Sequence, residues 1–237
     1  MKRISSPIKW RHYAPDVIPL SVRWYCWYSL SYRDLEEMMR ERGLPVDHVT
    51  IFRWVQRYAP EINRRMRPAL KMSGISHRLD ETYVKVGAEW KYLYRAVDSA
   101  GDTIEFMLSA KCDVSAAKRF FKKLMRADHR RVPFTIGTDK HASYPESFAT
   151  SVEEKVLPSG CKLRRVRYLN NIIEPDHRFI RRGWRAMQCF RSFQTAERTL
   201  EGVEAARMMR KGQVKRVDGR DSVGQAKFVE SLFGVVA

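Results

Sequence analysis

Apolar residues in the first third of the chain recur at the three- and four-residue spacing of amphipathic helices. Ser31 is an N-cap residue with an acid, Asp34, three residues on, and it opens a helix predicted from Tyr32 to Arg42. Gly43 ends this helix because glycine favours the position after a helix. Asp47 is an N-cap residue for a second helix from His48 to about Tyr58, and we expect Pro60 to stop that helix. The result is a small all-α unit of helix, turn and helix at residues 1–66.

The order helix, turn, helix is typical of a helix-turn-helix, whose second helix enters the DNA major groove. In that arrangement Val49, Phe52 and Val55 would pack inward. The polar residues on the other side of the helix are then candidates for DNA contact: His48, Thr50, Arg53 and Gln56. The alternative is an ordinary helical hairpin with a solvated basic face.

After residue 76 the pattern changes to the alternation and β-branched content of strands, and residues 67–76 are predicted to be a linker. We expect three consecutive strands, a helix, a strand, a connection, another strand and a final helix. The five strands are predicted at residues 77–86, 90–97, 103–108, 132–138 and 162–169, and the first helix at residues 115–125. This order indicates an α/β domain with a mixed sheet and flanking helices.

The C-terminal part of the chain is predicted to carry one more helix and a tail. Residues 196–210 have helical spacing, with acids preceding bases as the helix dipole favours, and we expect this helix to pack against the sheet or a second subunit. The α/β domain is therefore assigned to residues 77–211. Residues 212–237 are predicted to be a weakly structured tail whose apolar end could be a short dimer contact.

Three acids are candidates for chemistry. Asp80 lies within the first strand among apolar neighbours, where an unpaired carboxylate would be costly to bury. Asp139 closes the fourth strand and Glu174 follows the fifth, and sites gather at strand ends in open α/β sheets. The three acids could converge at one sheet edge and hold two divalent cations. Their structural alternatives are, respectively, a paired strand acid, a turn or N-cap residue, and a capping-box acid.

Glu174 lies within the most basic part of the chain. In a helix Glu174, Arg178 and Arg181 would share one face. The strand before it carries bases suited to a DNA backbone: Lys162, Arg164, Arg165 and Arg167. The alternative for the helix is an exposed acid and base pair, worth only a few tenths of a kcal/mol. His177 and Asp176 could support metal ligands, although a structural hydrogen-bonded pair is the simpler interpretation.

Composition indicates what the chain binds. There are 45 Lys and Arg against 27 Asp and Glu, a formal net charge of +18, which indicates a polyanionic partner. Nucleic acid is the first candidate and an anionic membrane the second.

No apolar run reaches the length of about 18 residues that a membrane helix needs, and no secretion signal follows Met1, so we expect a cytoplasmic protein. The four cysteines are far apart, and their spacing indicates neither a zinc site nor a disulfide framework.

Several segments resemble the DDE transposases of small bacterial insertion sequences: Arg33-Asp-Leu-Glu-Glu, Arg53-Trp-Val, Asp80-Glu-Thr-Tyr-Val-Lys-Val, Trp90-Lys-Tyr-Leu-Tyr-Arg-Ala-Val-Asp, Thr138-Asp139 and Asn170-Asn-x-x-Glu-x-Asp-His-Arg-x-Ile. The resemblance runs from about residue 10 to residue 211. It is closest to the replicative, cointegrate-forming family named after insertion sequence six. Between the second and third acids lie 34 residues.

This resemblance implies a ribonuclease-H-like fold with Asp80, Asp139 and Glu174 as the catalytic triad and ligands of two Mg²⁺ or Mn²⁺ ions. It also implies a homodimer or higher oligomer that acts, in the bacterial nucleoid, on double-stranded DNA, both the inverted repeats of its element and the target. The family usually has Lys where this chain has Arg181, and the two side chains differ in geometry. The rival classes are a DNA-binding regulator, which needs no acids, and a ribonuclease-H-type nuclease, which joins no strands.

Overall fold

The alternating segments after the linker form one five-stranded mixed sheet in the computed structural model, which describes residues 13–28, 30–139, 141–166, 172–175, 177–178 and 190–235. Its strands are β1 (Ser76–Val86), β2 (Glu89–Asp98), β3 (Thr103–Ser109), β4 (Thr135–Thr138) and β5 (Lys162–Arg165), in the order β3-β2-β1-β4-β5. The first three strands are antiparallel, whereas β4 runs parallel to β1 and β5 runs parallel to β4. The predicted mixed α/β sheet with a flanking helix is confirmed.

The helix α4 (Val114–Leu124) covers this sheet as its apolar spacing predicts. It begins at Asp113, whose carboxylate accepts a hydrogen bond from the Ala116 amide, and it buries Phe120, Phe121 and Leu124. These side chains join apolar residues of the strands in the core of the sheet unit. Full burial of each large side chain stabilises the fold by about 1.5–3 kcal/mol, so the packing of α4 fixes which face of the sheet is internal.

A second helix in this unit, α5 (Ser143–Glu153), lies where only a connection was predicted. Its buried positions are mainly serines, Ser143, Ser147 and Ser151, together with Tyr144. The Ser147 and Ser151 hydroxyls donate to backbone carbonyls one turn earlier, at 2.7 and 2.6 Å. Because the inward face is small and polar, it lacks the apolar period on which the sequence prediction depends.

The helical unit contains α1 (Val17–Trp27), α2 (Tyr32–Glu41) and α3 (His48–Met66), and its predicted capping pattern is present at Ser31 and Asp34. The prediction that Pro60 stops α3 is wrong, because the helix continues to Met66 and a short 3-10 turn follows. An interior proline costs about 3 kcal/mol. Complete burial of Ile62 and Met66 offsets that cost.

The C-terminal residues also belong to this helical unit. The chain divides into one unit of residues 1–70 with 182–237 and another of residues 71–181, which differs from the boundaries predicted at 77 and 211. The helix α6 (Phe193–Arg210) packs on α3 and α1 of the helical unit. The helix α7 (Ser222–Leu232) is capped by Asp221 and packs on α1 and α3, so the prediction of a weakly structured tail is wrong.

The physical reason for these differences is tertiary packing that no local pattern reports. The indole N–H of Trp27 donates to the Gln225 side chain at 3.1 Å, and the Tyr58 and Phe233 rings meet edge to face. Phe233 is completely buried within this unit. Among the described residues no helix has the length and apolar character needed to span a membrane.

Candidate active site

Two of the predicted acids lie at the same level of neighbouring parallel strands. The β1 and β4 register pairs Arg78 with Gly137, and Asp80 and Asp139 each follow two residues later. In paired parallel strands, residues at equivalent positions lie side by side. Asp80 and Asp139 are therefore neighbours across the two strands. Asp139 directly follows β4, and its carboxylate accepts a hydrogen bond from the His141 amide at 2.9 Å.

A third carboxylate in this cluster is Glu81, which the sequence analysis did not single out. Carboxylate oxygens of Asp80, Glu81 and Asp139 all lie within 4.8 Å of one another, and all three residues are partly buried. Adjacent residues of a strand point to opposite faces of the sheet. Strand alternation therefore did not predict that Glu81 and Asp80 would belong to the same cluster. The position of Glu81 next to a candidate acid was the only available signal.

Glu174 approaches the cluster through a histidine. The buried His177 ring has Nδ1 at 3.8 Å from Asp80 Oδ2 and at 3.8 Å from Glu174 Oε2. Glu174 and His177 are in helical conformation, and the His177 amide donates to the Ile173 carbonyl at 3.1 Å. His177 therefore lies within ion-pairing distance of two of the three predicted acids. Its suggested partner Asp176 lies outside the described residues.

The electrostatics of the cluster favour a cation. Burial, together with the charges of Asp139 and Asp80, raises the pKa of Glu81 to about 7 against the opposing effect of hydrogen bonds from Tyr144 and Cys112. Partly buried carboxylates that repel one another are stabilised by a positive charge between them. Oxygen donors grouped in this way suit a hard divalent cation. The residues present therefore fit the divalent-metal site that the predicted chemistry needs.

Asp98, the last residue of β2, stabilises a turn through both of its carboxylate oxygens. One carboxylate oxygen accepts hydrogen bonds from the Ala100 and Asp102 amides, at 2.9 and 3.0 Å. The other oxygen accepts one from the Gly74 amide at 2.8 Å. Through these bonds Asp98 stabilises the β2–β3 turn and the segment before β1.

The predicted basic strand corresponds to β5, at one end of the described sheet. Lys162, Arg164 and Arg165 are exposed there, and the Lys162 ammonium lies 5.4 Å from the centre of the Phe134 ring. Arg178, one residue after His177, is also exposed. Arg167 and Arg181 lie outside the described residues.

The predicted DNA-contact residues of α3 differ in exposure and in their partners. Arg53 is exposed, whereas His48 pairs with Glu36 at 2.7 Å and Thr50 bonds the capping Asp47. Gln56 is 9% exposed, and its amide donates to the Thr199 hydroxyl of α6 at 2.9 Å.

The inward face of α3 is therefore rotated from the predicted one. Val49 and Phe52, expected to pack inward, are 43% and 37% exposed, although Val55 is buried as predicted. The prediction followed from a helix-turn-helix arrangement, whereas in the structure α6 also packs on α3.

Comparison with known proteins agrees with this organisation. A family model described as a DDE domain matches residues 74–213. The transposase for the insertion sequence-like element IS431mec of Staphylococcus aureus is 38% identical over 197 residues, covering 83% of this chain and 85% of that protein. The transposase for IS257 in transposon Tn4003, also from Staphylococcus aureus, is 37% identical over the same share of each chain.

Among solved structures, the trimeric form of the HTLV-2 integrase catalytic core domain in complex with magnesium aligns with 55% of this chain and 84% of its own, at 12% identity and a TM-score of 0.43. The family assignment rests on the sequence relatives and the DDE-domain match. The chain therefore belongs to the DDE transposases of bacterial insertion sequences, in the family named after insertion sequence six that includes the IS431 and IS257 transposases.

Proposed function

We propose that this transposase, a polynucleotidyl transferase that cleaves and transfers DNA strands, uses Asp80, Asp139 and Glu174 as one catalytic unit. The observation that carries the proposal is the meeting of Asp80, within β1, and Asp139, just after the parallel strand β4, with carboxylate oxygens within 4.8 Å of each other. His177 supports the inclusion of Glu174, because its ring lies 3.8 Å from carboxylate oxygens of both Asp80 and Glu174.

The three carboxylates would hold two Mg²⁺ or Mn²⁺ ions, which when bound activate the attacking hydroxyl and stabilise the leaving oxygen of a phosphodiester. The carboxylates thus act as ligands and not as proton carriers. The His177 ring is a positioning group that keeps Asp80 and Glu174 at a set separation. Glu81, within the same cluster, adds negative charge that favours a cation there.

Basic residues supply the DNA contacts in this proposal. Phosphates would be held by charge-assisted hydrogen bonds from the β5 strand and the residues after Glu174: Lys162, Arg164, Arg165, Arg167, Arg178 and Arg181. On α3, Arg53 is the exposed candidate for contact with base edges, and the partly exposed His48 and Thr50 are further candidates. The substrates are the inverted repeats of the element and a target duplex, joined as a cointegrate by a homodimer or higher oligomer.

The test is an assay on end-labelled inverted-repeat DNA with a target plasmid, run with Mg²⁺, with Mn²⁺ and with chelator. We expect metal-dependent nicking at the repeat end and joined product with the target. Binding to the repeat without cleavage in any metal would favour the DNA-binding regulator instead. Metal-dependent cleavage without joined product would favour a ribonuclease-H-type nuclease.

A further inference from the structure

A second group of potential metal ligands lies beside the carboxylate cluster and differs from it in chemistry. Glu81 comes from β1, Cys112 from the loop before α4, and His141 from the loop before α5. The Cys112 sulfur lies 3.7 Å from Glu81 Oε1 and 3.8 Å from His141 Nε2. One ligand atom from each residue lies within 4.8 Å of the other two.

These distances match those between ligands of a tetrahedral ion. Zinc bonds of about 2.3 Å to sulfur and about 2.0–2.1 Å to nitrogen or oxygen put ligand atoms about 3.6 Å apart at a tetrahedral angle. The two distances from Cys112 Sγ exceed this value by only a few tenths of an ångström. Small side-chain rotations would therefore bring the three atoms onto one ion.

Ser143 faces the far side of the His141 ring. Its hydroxyl lies 2.9 Å from His141 Nδ1, and its amide approaches the same nitrogen at the longer distance of 3.4 Å. Metal binding at Nε2 would place the ring proton on Nδ1, where the Ser143 hydroxyl can accept it, and would leave the Nε2 lone pair toward Cys112. Such a hydrogen bond on the far ring nitrogen typically accompanies metal-bound histidine. The Tyr94 hydroxyl donates to the Cys112 sulfur at 3.4 Å, which stabilises negative charge on that atom.

Access and charge also suit an ion. His141 is exposed, which gives a route from solvent, whereas Glu81 and Cys112 are partly buried. Burial raises the pKa of the Cys112 thiol, and the Glu81 carboxylate raises it further. A bound cation would reverse this effect because it attracts both the thiolate and the carboxylate.

We propose that Glu81, Cys112 and His141 form a binding site for Zn²⁺ or a similar thiophilic divalent ion, next to the carboxylate site and sharing Glu81 with it. Thiolate and imidazole ligands select Zn²⁺ over Mg²⁺, which takes oxygen ligands. Three protein ligands leave a fourth position for water, as in exchangeable zinc sites. The proposal concerns binding and does not depend on the catalytic role of Asp80, Asp139 or Glu174.

The test uses Co²⁺ as a spectroscopic probe on the purified full-length protein with reduced thiols. We expect one equivalent of Co²⁺ to produce a sulfur-to-cobalt charge-transfer absorption, which one equivalent of Zn²⁺ removes. Cys112→Ser should abolish this absorption, and His141→Ala should weaken binding at least tenfold. Cys161→Ser, which changes a buried thiol elsewhere in the same unit, is the matched control and should keep the absorption.

Asp139→Asn separates the two sites, because it alters the carboxylate cluster and should leave the charge-transfer absorption in place. X-ray absorption of the wild-type zinc complex should count one sulfur at about 2.3 Å, a readout that needs no variant to fold. The proposal is overturned if that measurement finds oxygen and nitrogen ligands only. It is equally overturned if the cobalt absorption survives Cys112→Ser, or if neither ion binds the reduced protein.

Discussion

Gly202 on α6 approaches Ala59 on α3 so closely that a Cβ atom on residue 202 would lie 2.7 Å from the Ala59 Cβ and 2.5 Å from the Cys26 sulfur. Glycine in a helix interior costs about 1 kcal/mol relative to alanine, so propensity alone favours alanine here. Contact distances below 3 Å do not occur between such atoms without displacement. The absence of a side chain at Gly202 is therefore what allows these helices to pack.

We expect Gly202→Ala to lower the free energy of unfolding by about 1–3 kcal/mol, because overpacking outweighs the gain in helix propensity. Urea denaturation followed by circular dichroism measures this change. Gly160→Ala is the matched control, since a Cβ there meets nothing within 4 Å. A Gly202→Ala variant at least as stable as the wild type would show that the helices separate without cost.

If the three acids form one catalytic unit, replacing any of them by its amide should have a similar effect on activity, because the amide removes the negative charge and keeps the side-chain volume. Asp80→Asn, Asp139→Asn and Glu174→Gln should each reduce strand cleavage and joining by orders of magnitude, while repeat binding measured by gel shift is retained. Double variants should lose little more than single ones, as members of one unit do. Without metal, the neutral variants should be no less stable than the wild type, because crowded carboxylates repel. Near-normal joining by Glu174→Gln in Mg²⁺ would contradict the triad.

His77 predicts a specific acid sensitivity of the sheet unit. Burial lowers the pKa of His77 from 6.5 to about 4. The ring nitrogen Nε2 lies 3.1 Å from the Gly74 carbonyl, and Nδ1 has no hydrogen-bond partner among the described residues. Because the unfolded chain binds this proton more readily, the stability contributed by neutral His77 is present above pH 6.5 and lost as the pH falls toward 4.

We expect this loss to reach about 3 kcal/mol at pH 4, measured by urea denaturation across the pH range. His77→Gln keeps an amide near the Nε2 position and cannot titrate, so its stability should depend less on pH in that window. Parallel profiles for the variant and the wild type would assign the acid sensitivity to other groups.

Arg53 and Gln56 lie one turn apart on α3, but we expect substitution of Arg53 to change DNA affinity and substitution of Gln56 to change stability. Arg53→Ala should weaken binding to the inverted repeat by about 1–3 kcal/mol if the exposed guanidinium reads base edges. Gln56→Ala should instead lower stability, because it removes the buried hydrogen bond to Thr199. Competition with random DNA is the control in a binding assay. An equal loss by Arg53→Ala on both DNAs would mean phosphate contact only.

The exposed bases of β5 predict a change in the salt dependence of DNA binding. Changing Arg164 and Arg165 together to Ala should make the slope of log K against log salt shallower by about 1–2, since each phosphate contact releases counterions. Lys122→Ala removes one exposed base on α4 that pairs with Glu154 at 3.3 Å; it is the control for loss of a positive charge elsewhere in the unit and should leave the slope nearly unchanged. An unaltered slope in the double variant would exclude β5 from the DNA path.

The local sequence pattern was sufficient to predict many of the strands and helices. Alternation predicted the three-stranded meander to within one residue at each end, and the capping signals at Ser31 and Asp47 correctly marked the starts of α2 and α3. These features depend on neighbours in sequence. The pattern failed at α5, where Ser147 and Ser151 line the buried face, and at Pro60, where burial outweighs the local penalty.

The sequence by itself determined the family and the order of the three candidate acids, because Asp80, Asp139 and Glu174 stand in characteristic short motifs. Only the tertiary structure decided which side chains meet. Parallel pairing of β1 with β4 aligns Asp80 with Asp139, and packing of the loops before α4 and α5 brings Cys112 and His141 to Glu81. Periodicity reports the face on which a residue lies within one element, whereas contacts between distant elements depend on register and packing that only the folded chain defines.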